Sequence, residues 1–287
     1  MMSPKQHFAD RERLPGDRRG TWLSAHLETV APGRLGADHA VAWAVDTGQD
    51  RKVEVEWVAG LDAARLSGGK RSTVQIWLGR PRSPGRFHDW PAFLPLLSGE
   101  ERERLLQFRF AVDRWGFGAA HAALRHLLAT RLGCAPTDLR LVIGEAGKPM
   151  LCPETHGATA ASQLHFNLSH TRGLVAVALA DCPVGIDVEP VRALADLAAL
   201  ARTHMGAEAQ AALAACSDEA ARTALFFHHW TLGEAFIKAT GQGLGQGLET
   251  FAFTSHGQPC LTRITPGWGP TDRWQFGRIA GRAGPAS

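Results

Sequence analysis

The sequence predicts a mixed fold of strands and helices in which one piece of grammar is used twice. Three observations carry this. The 287 residues are 45% hydrophobic, enough for a core of globular size. Apolar residues recur with a period of two in several short runs and with helical spacing in longer ones. A strand, a helix and further strands occur in that order on each side of residue 184.

Residues 1–71 are rich in charge, Gly and Ala and end in the linker-like LSGGKRS. They are read as an N-terminal extension for which poor order is expected, although AVAWAV (40–45) and VEVEWVAG (53–60) have the pattern of strands. From residue 72 the pattern is regular. TVQIWLG (73–79) predicts a strand. SGEERERLLQF (98–108) opens on Ser98 with Glu101 three residues on, a capping box, so a helix starts there. Residues 111–133 have helical spacing and stop at Gly133, suited to a left-handed helix end. LRLVIG (139–144) predicts a strand and EAGKPML a turn carrying Lys148. LHFNLSH (164–170) and GLVAVALA (173–180) predict two strands joined by a polar turn. PVGIDVEP (183–190) predicts another strand. Residues 195–215 predict a helix and 218–241 a longer one ending at Gly241. A Gly-rich loop then runs into a strand near 254, and RWQFGRIA (273–280) predicts the last strand. The regular part divides into an N-terminal half, 72–183, and a C-terminal half, 184–287.

The net charge of +3 and pI of about 8.7 are too weakly basic to argue for nucleic acid and suit a phosphorylated ligand. Five cysteines without a CxxC pair argue against a zinc site or a disulfide framework and for reduced thiols in a cytoplasmic protein. The N-terminus has no apolar core of a secretion signal, and no run is long enough to span a bilayer, so no membrane role is expected.

Two stretches carry acids in unusual settings. In PVGIDVEP, alternation turns Val184, Ile186 and Val188 one way and Asp187 and Glu189 the other, with no Lys or Arg in the run to pair them. A solvated outer face and a divalent-cation site are both open. In HHWTLGEAFIKATGQGL, Trp230, Glu234 and Lys238 share one helix face. That is a surface Glu–Lys pair or, with Phe226 and Phe227 beside Trp230, a buried stripe in which Glu234 needs a partner. Asp187, Glu189 and Glu234 together would make a three-carboxylate Mg²⁺ cage, with waters and phosphate oxygens completing the shell. Lys148, in a Gly-Pro turn, is a weak signal alone. Ser169 and His170 read either as structural residues or as a phosphate grip, since a hydroxyl and an imidazole N–H both donate. They fail as part of a catalytic triad, because neighbours on a strand face opposite ways.

GKP, FNLSH, GIDVE and W-x-x-x-E-A-x-x-K-A-x-G-x-G-L, in that order between about Val74 and Phe253, resemble the 4′-phosphopantetheinyl transferases. The likeness is to the large, two-half Sfp-type class that activates nonribosomal peptide and polyketide synthases, a role in secondary metabolite biosynthesis. The resemblance implies an α+β fold of two similar α/β halves in a pseudo-twofold arrangement, with the site between them. It implies transfer of the phosphopantetheine arm of coenzyme A to a serine of an acyl or peptidyl carrier protein, with release of 3′,5′-ADP. In those terms Asp187, Glu189 and Glu234 hold Mg²⁺ on the coenzyme A pyrophosphate. Lys238 touches the pyrophosphate and stabilises the leaving group, and Lys148, Ser169 and His170 hold the adenosine-side phosphates. Glu208, in RTHMGAE, lies where several members place a carboxylate proposed as the base, so Glu234 and Glu208 both stand for that role. The partner is expected to be acidic and the protein a monomer. Two positions depart from the family pattern by losing a positive charge, Gly233 in WTLGEA and Gly116 in DRWGF. Both predict a weaker anion-binding shell, with Arg114, Arg125 and the N-terminal arginines as candidates to compensate. An inactive relative that binds coenzyme A or carrier protein, and a Mg²⁺-dependent nucleotide pyrophosphate hydrolase, are the alternatives.

Overall fold

The computed structural model describes residues 25–31, 34–35, 38–47, 53–57, 72–82, 86–144, 146–243, 245, 247–254, 257–265 and 267–279. The strands are β1 (Leu27–Thr29), β2 (His39–Asp46), β3 (Val53–Trp57), β4 (Ser72–Pro81), β5 (Leu141–Ile143), β6 (Pro149–Leu151), β7 (His165–Thr171), β8 (Leu174–Ala180), β9 (Val184–Pro190), β10 (Phe251–Phe253), β11 (Leu261–Ile264) and β12 (Trp274–Ile279). The helices are α1 (Gly99–Gln107), α2 (Ala111–Leu132), α3 (Pro153–His156), α4 (Ala158–Gln163), α5 (Leu197–His204), α6 (Ala207–Ala215) and α7 (Glu219–Thr240). A 3-10 segment spans Arg86–Leu96.

One sheet has the order β1-β4-β8-β7, with β3 pairing in parallel at the other end of the β4 edge that β1 uses. A second, antiparallel sheet has the order β12-β2-β9. The alternation of side chains sets the layers. On β4 and β8, Trp77, Val175, Val177 and Leu179 pack with Trp115, Ala119, Ala123 and Leu127 of α2. Val74, Ile76, Leu78, Ala176 and Ala178 face the other way and meet Val41, Val45, Val184, Ile186 and Val188 of the second sheet. Beyond that sheet, Ala42 and Ala44 meet Leu232 and Phe236 of α7. The order is therefore helix, sheet, sheet, helix. Each fully buried Val or Ile in the middle interface contributes about 2 kcal/mol relative to exposure.

The fold is α+β with two sheet-and-helix halves. Its two long helices, α2 and α7, have 22 residues each, and each stops at a glycine in the left-handed region, Gly133 (φ 68) and Gly241 (φ 73). The capping box at Ser98 forms in both directions, with the Ser98 side chain accepting from Glu101 N and the Glu101 side chain from Ser98 N. Gly185 on β9 is a close-approach position. A Cβ there would lie 2.0 Å from Ala235 O and 2.5 Å from Ala239 N, so only glycine lets α7 lie flat on the strand.

Two expectations need correction. The segment read as an extension supplies β1, β2 and β3, and β2 is the middle strand of the second sheet. It is buried on both faces, small Ala toward α7 and Val or Trp toward the other sheet. Asp46 forms an ion pair with Arg273, just ahead of β12, and Thr47 N donates to Arg273 O. Residues 1–24 and 58–71 lie outside the described residues. The helix expected over 195–215 is two helices, α5 and α6, parted at Met205 and Gly206, both of which are extended (ψ 148 and 163).

Candidate active site

Asp187 and Glu189 stand on the β9 face that carries Gly185 and is turned toward α7. Trp230, Glu234 and Lys238 form a half-buried stripe on that helix. The two elements meet at Asp187. Its side chain is buried, and Oδ1 accepts from Lys238 Nζ at 2.6 Å and from Ser169 Oγ at 2.9 Å. Its other oxygen, Oδ2, is buried without a hydrogen-bond partner. Burial and then Asp187 raise the Glu234 carboxyl, against the pull of Lys238. Burial, then Asp187, outweigh Lys238 and, with a further push from Glu234, raise Glu189 to about 7. The three acids are thus electrostatic neighbours with a surplus of negative charge.

That surplus fits a hard divalent cation. The donors are carboxylate oxygens, and one of them is buried and orphaned. Among the described residues, no three acid, His or Cys side chains are already converged on a metal-holding point. The Lys238 ammonium takes Asp187 Oδ1 instead. A cation would take Oδ2, with Glu189 and Glu234 as its further ligands.

His170 faces α2, where its Nδ1 lies 2.9 Å from the place a Cβ of Gly116 would occupy, and its ring meets Phe117 edge-on at 6.5 Å. Burial, followed by His121, Lys238 and Arg104, lowers its pKa to about 4, so it is neutral at pH 7 and can donate one ring N–H. Ser169 faces the opposite way, as strand alternation requires. It bonds Asp187, accepts from Val188 N at 3.3 Å and from Lys238 Nζ at 3.2 Å.

Not every expected ligand lies open. Lys148 Nζ directs its three donors to backbone oxygens, Val184 O at 3.0 Å, Lys238 O at 2.7 Å and Ala239 O at 3.2 Å. Burial lowers its pKa to about 8. Glu208 is drawn to Arg263 on β11 in a two-pronged pair of 2.8 and 3.1 Å, and that hydrogen bonding holds its carboxyl down at about 2. Gly233 faces apolar side chains. A Cβ there would meet Leu248 Cδ2 at 2.3 Å and the Phe251 ring at 3.3 Å. Arg125 cannot compensate for the missing charges, because it is buried against Glu101 (2.5 Å), Pro136 O and Leu139 O. Arg114 lies over the Trp90 ring at 5.1 Å. Asn167, two residues before Ser169 and so on the same strand face, was passed over in the sequence. It accepts from Ile186 N at 2.9 Å. Its position in FNLSH was the available signal.

Comparison with known proteins gives the family. Residues 83–182 match the model of the 4′-phosphopantetheinyl transferase N-terminal domain, and residues 183–278 match that of the 4′-phosphopantetheinyl transferase superfamily. The 4′-phosphopantetheinyl transferase psf-1 of Bacillus pumilus is 32% identical over 55% of this chain and 63% of its own length, just under two thirds. The 4′-phosphopantetheinyl transferase Sfp of Bacillus subtilis is 29% identical over 63% of this chain and 75% of its own. HetI of Nostoc sp., also named a 4′-phosphopantetheinyl transferase, is 32% identical over 60% of this chain and 71% of its own. With both halves matched and relatives of this similarity, the chain belongs to the 4′-phosphopantetheinyl transferases, as an enzyme of the Sfp type.

Proposed function

We propose that this enzyme moves the 4′-phosphopantetheine arm of coenzyme A onto a serine of an acyl or peptidyl carrier protein, releasing 3′,5′-ADP, with Mg²⁺ held by Asp187, Glu189 and Glu234. The observation that carries the metal is the buried, orphaned Asp187 Oδ2 among three mutually repelling acids. When bound, Mg²⁺ withdraws charge from the pyrophosphate oxygens. Lys238, beside Asp187, neutralises the departing 3′,5′-ADP. His170 offers its ring N–H to an adenosine-side phosphate. Of the two candidate bases for the serine proton, Glu208 is the weaker, because its carboxylate is occupied by Arg263 and held at about 2. The enzyme is read as a cytoplasmic monomer that uses neither nucleic acid nor membrane; among the described residues no helix is long and apolar enough to cross a membrane.

The test is the intact mass of an apo carrier protein incubated with this enzyme, coenzyme A and Mg²⁺, with and without chelator. A chelator-sensitive gain of one phosphopantetheine is expected. Coenzyme A cleavage without a mass gain would point to a pyrophosphate hydrolase. Binding without either would point to an inactive relative.

A further inference from the structure

The backbone of β9 has two edges. Its N–H and C=O groups alternate between them residue by residue. The odd-numbered side belongs to β2: the pattern continues at both ends, with Asp46 N donating to Pro183 O and Val191 N to Asp38 O. The even-numbered side therefore points away from β2, toward β7, with which β9 forms no ladder. An unpaired strand edge inside a protein is costly, because a buried backbone group without a partner loses about 1–3 kcal/mol.

Side chains close this edge. Val184 O accepts from Lys148 Nζ (3.0 Å), Ile186 N donates to Asn167 Oδ1 (2.9 Å), Ile186 O accepts from Lys238 Nζ (3.4 Å), and Val188 N donates to Ser169 Oγ (3.3 Å). Asn167 and its bond to Ile186 are buried. Lys148 adds a second task. Its bonds to Lys238 O and Ala239 O cap the last turn of α7, the turn that carries Lys238.

We infer that Lys148 and Asn167 are positioning residues, which reach from the N-terminal half to finish the free edge of β9 and the end of α7, and so hold Asp187 and Lys238 in register within the C-terminal half. Lys148 is then occupied by the protein itself and does not grip a phosphate of coenzyme A. The inference rests on the proposed transfer reaction only for its kinetic readout.

The test uses the full chain with Asn167→Val, Lys148→Met and Lys148→Arg. Met keeps the aliphatic stem of Lys148 and removes only its donors, so it carries the test if Asn167→Val does not fold. Hydrogen exchange is followed by mass spectrometry over residues 184–190 and the last turn of α7. Binding of 3′,5′-ADP is measured by calorimetry, and transfer by kinetics. The expected result is exchange about tenfold faster over 184–190 in Asn167→Val and over the α7 end in Lys148→Met. kcat falls about tenfold or more, the KM for coenzyme A and the affinity for 3′,5′-ADP stay within about threefold, and Lys148→Arg recovers part of kcat. Unchanged exchange overturns the inference. So does a Lys148→Met enzyme whose 3′,5′-ADP affinity drops about tenfold with kcat intact, since Lys148 would then be a phosphate ligand. If the wild-type enzyme transfers nothing, the functional reading fails, and exchange alone still decides the edge.

Discussion

Lys238 Nζ lies 2.6 Å from Asp187 Oδ1, joining the last turn of α7 to the middle of β9. Asp187 is buried and Lys238 is 29% exposed. Taking away one partner of such a pair leaves a buried charge alone, at a cost of about 3 kcal/mol at the exposed end of the range. Lys238→Met is expected to lose about that much in urea unfolding at pH 7.5 with chelator present. Mg²⁺ should restore more stability to the variant than to the wild type, because a cation offsets the same charge. Wild-type stability in chelator would mean the ammonium contributes nothing there.

Glu234 sits one helical turn from Lys238 with its carboxyl raised by burial and Asp187. Glu234→Gln keeps the size and removes the charge. Transfer is expected to fall at least about a hundredfold, with the midpoint of thermal unfolding unchanged or higher, since one acid of a repelling trio is gone. Near wild-type turnover with Mg²⁺ would remove Glu234 from the metal and base roles.

Glu101 anchors α2 through His121 and Arg125. Burial pushes its carboxyl up, but hydrogen bonds and charge from His121 and Arg125 outweigh that and bring it to about 2. A folded pKa below the unfolded value gives stability that is present above about 4.5 and is lost as pH falls toward about 2. At pH 7, Glu101→Gln is expected to cost about 3 kcal/mol, since it also leaves the buried Arg125 unpaired. Urea titrations of both proteins at pH 7 and pH 3 check this, and the gap should narrow at pH 3. A constant gap would show that packing, not charge, is what the variant lost.

Gly185→Ala places a methyl against backbone rather than a flexible side chain. Overpacking of this kind costs about 1–3 kcal/mol or more. α7 must lift from β9, which separates Lys238 from Asp187, so transfer should fall together with stability. A crystal structure of the variant with α7 in place would show that the strand, not the helix, gives way.

The elements that stand on local pattern were legible in the sequence. Ser98 with Glu101 marked the start of α1, and Gly133 and Gly241 marked the ends of α2 and α7. The shared face of Asp187 and Glu189 followed from a period of two. What escaped were long-range pairings. AVAWAV has the pattern of a strand, but nothing local says that its neighbours are residues 184–190 and 274–279. The phosphate role of Lys148 comes from the family resemblance alone, and the carbonyls its ammonium meets lie 36 and 90 residues away. Gly233 and Gly116 were read as lost charges. Their Cβ directions, toward Leu248 and His170, are properties of packing.

The place of β2 has a consequence for how the protein is made. Synthesis delivers β2 well before β9 and β12, and the contact between Asp46 and Arg273 closes a span of 227 residues. Until β9 and β12 emerge from the ribosome, β2 has neither neighbour and presents apolar side chains on both faces. Such a strand is a target for chaperones and a hazard for aggregation. The sheet that carries Asp187 and Glu189 is therefore finished only when β12 has been made, and a stalled or truncated chain lacking β12 would leave one edge of β2 open.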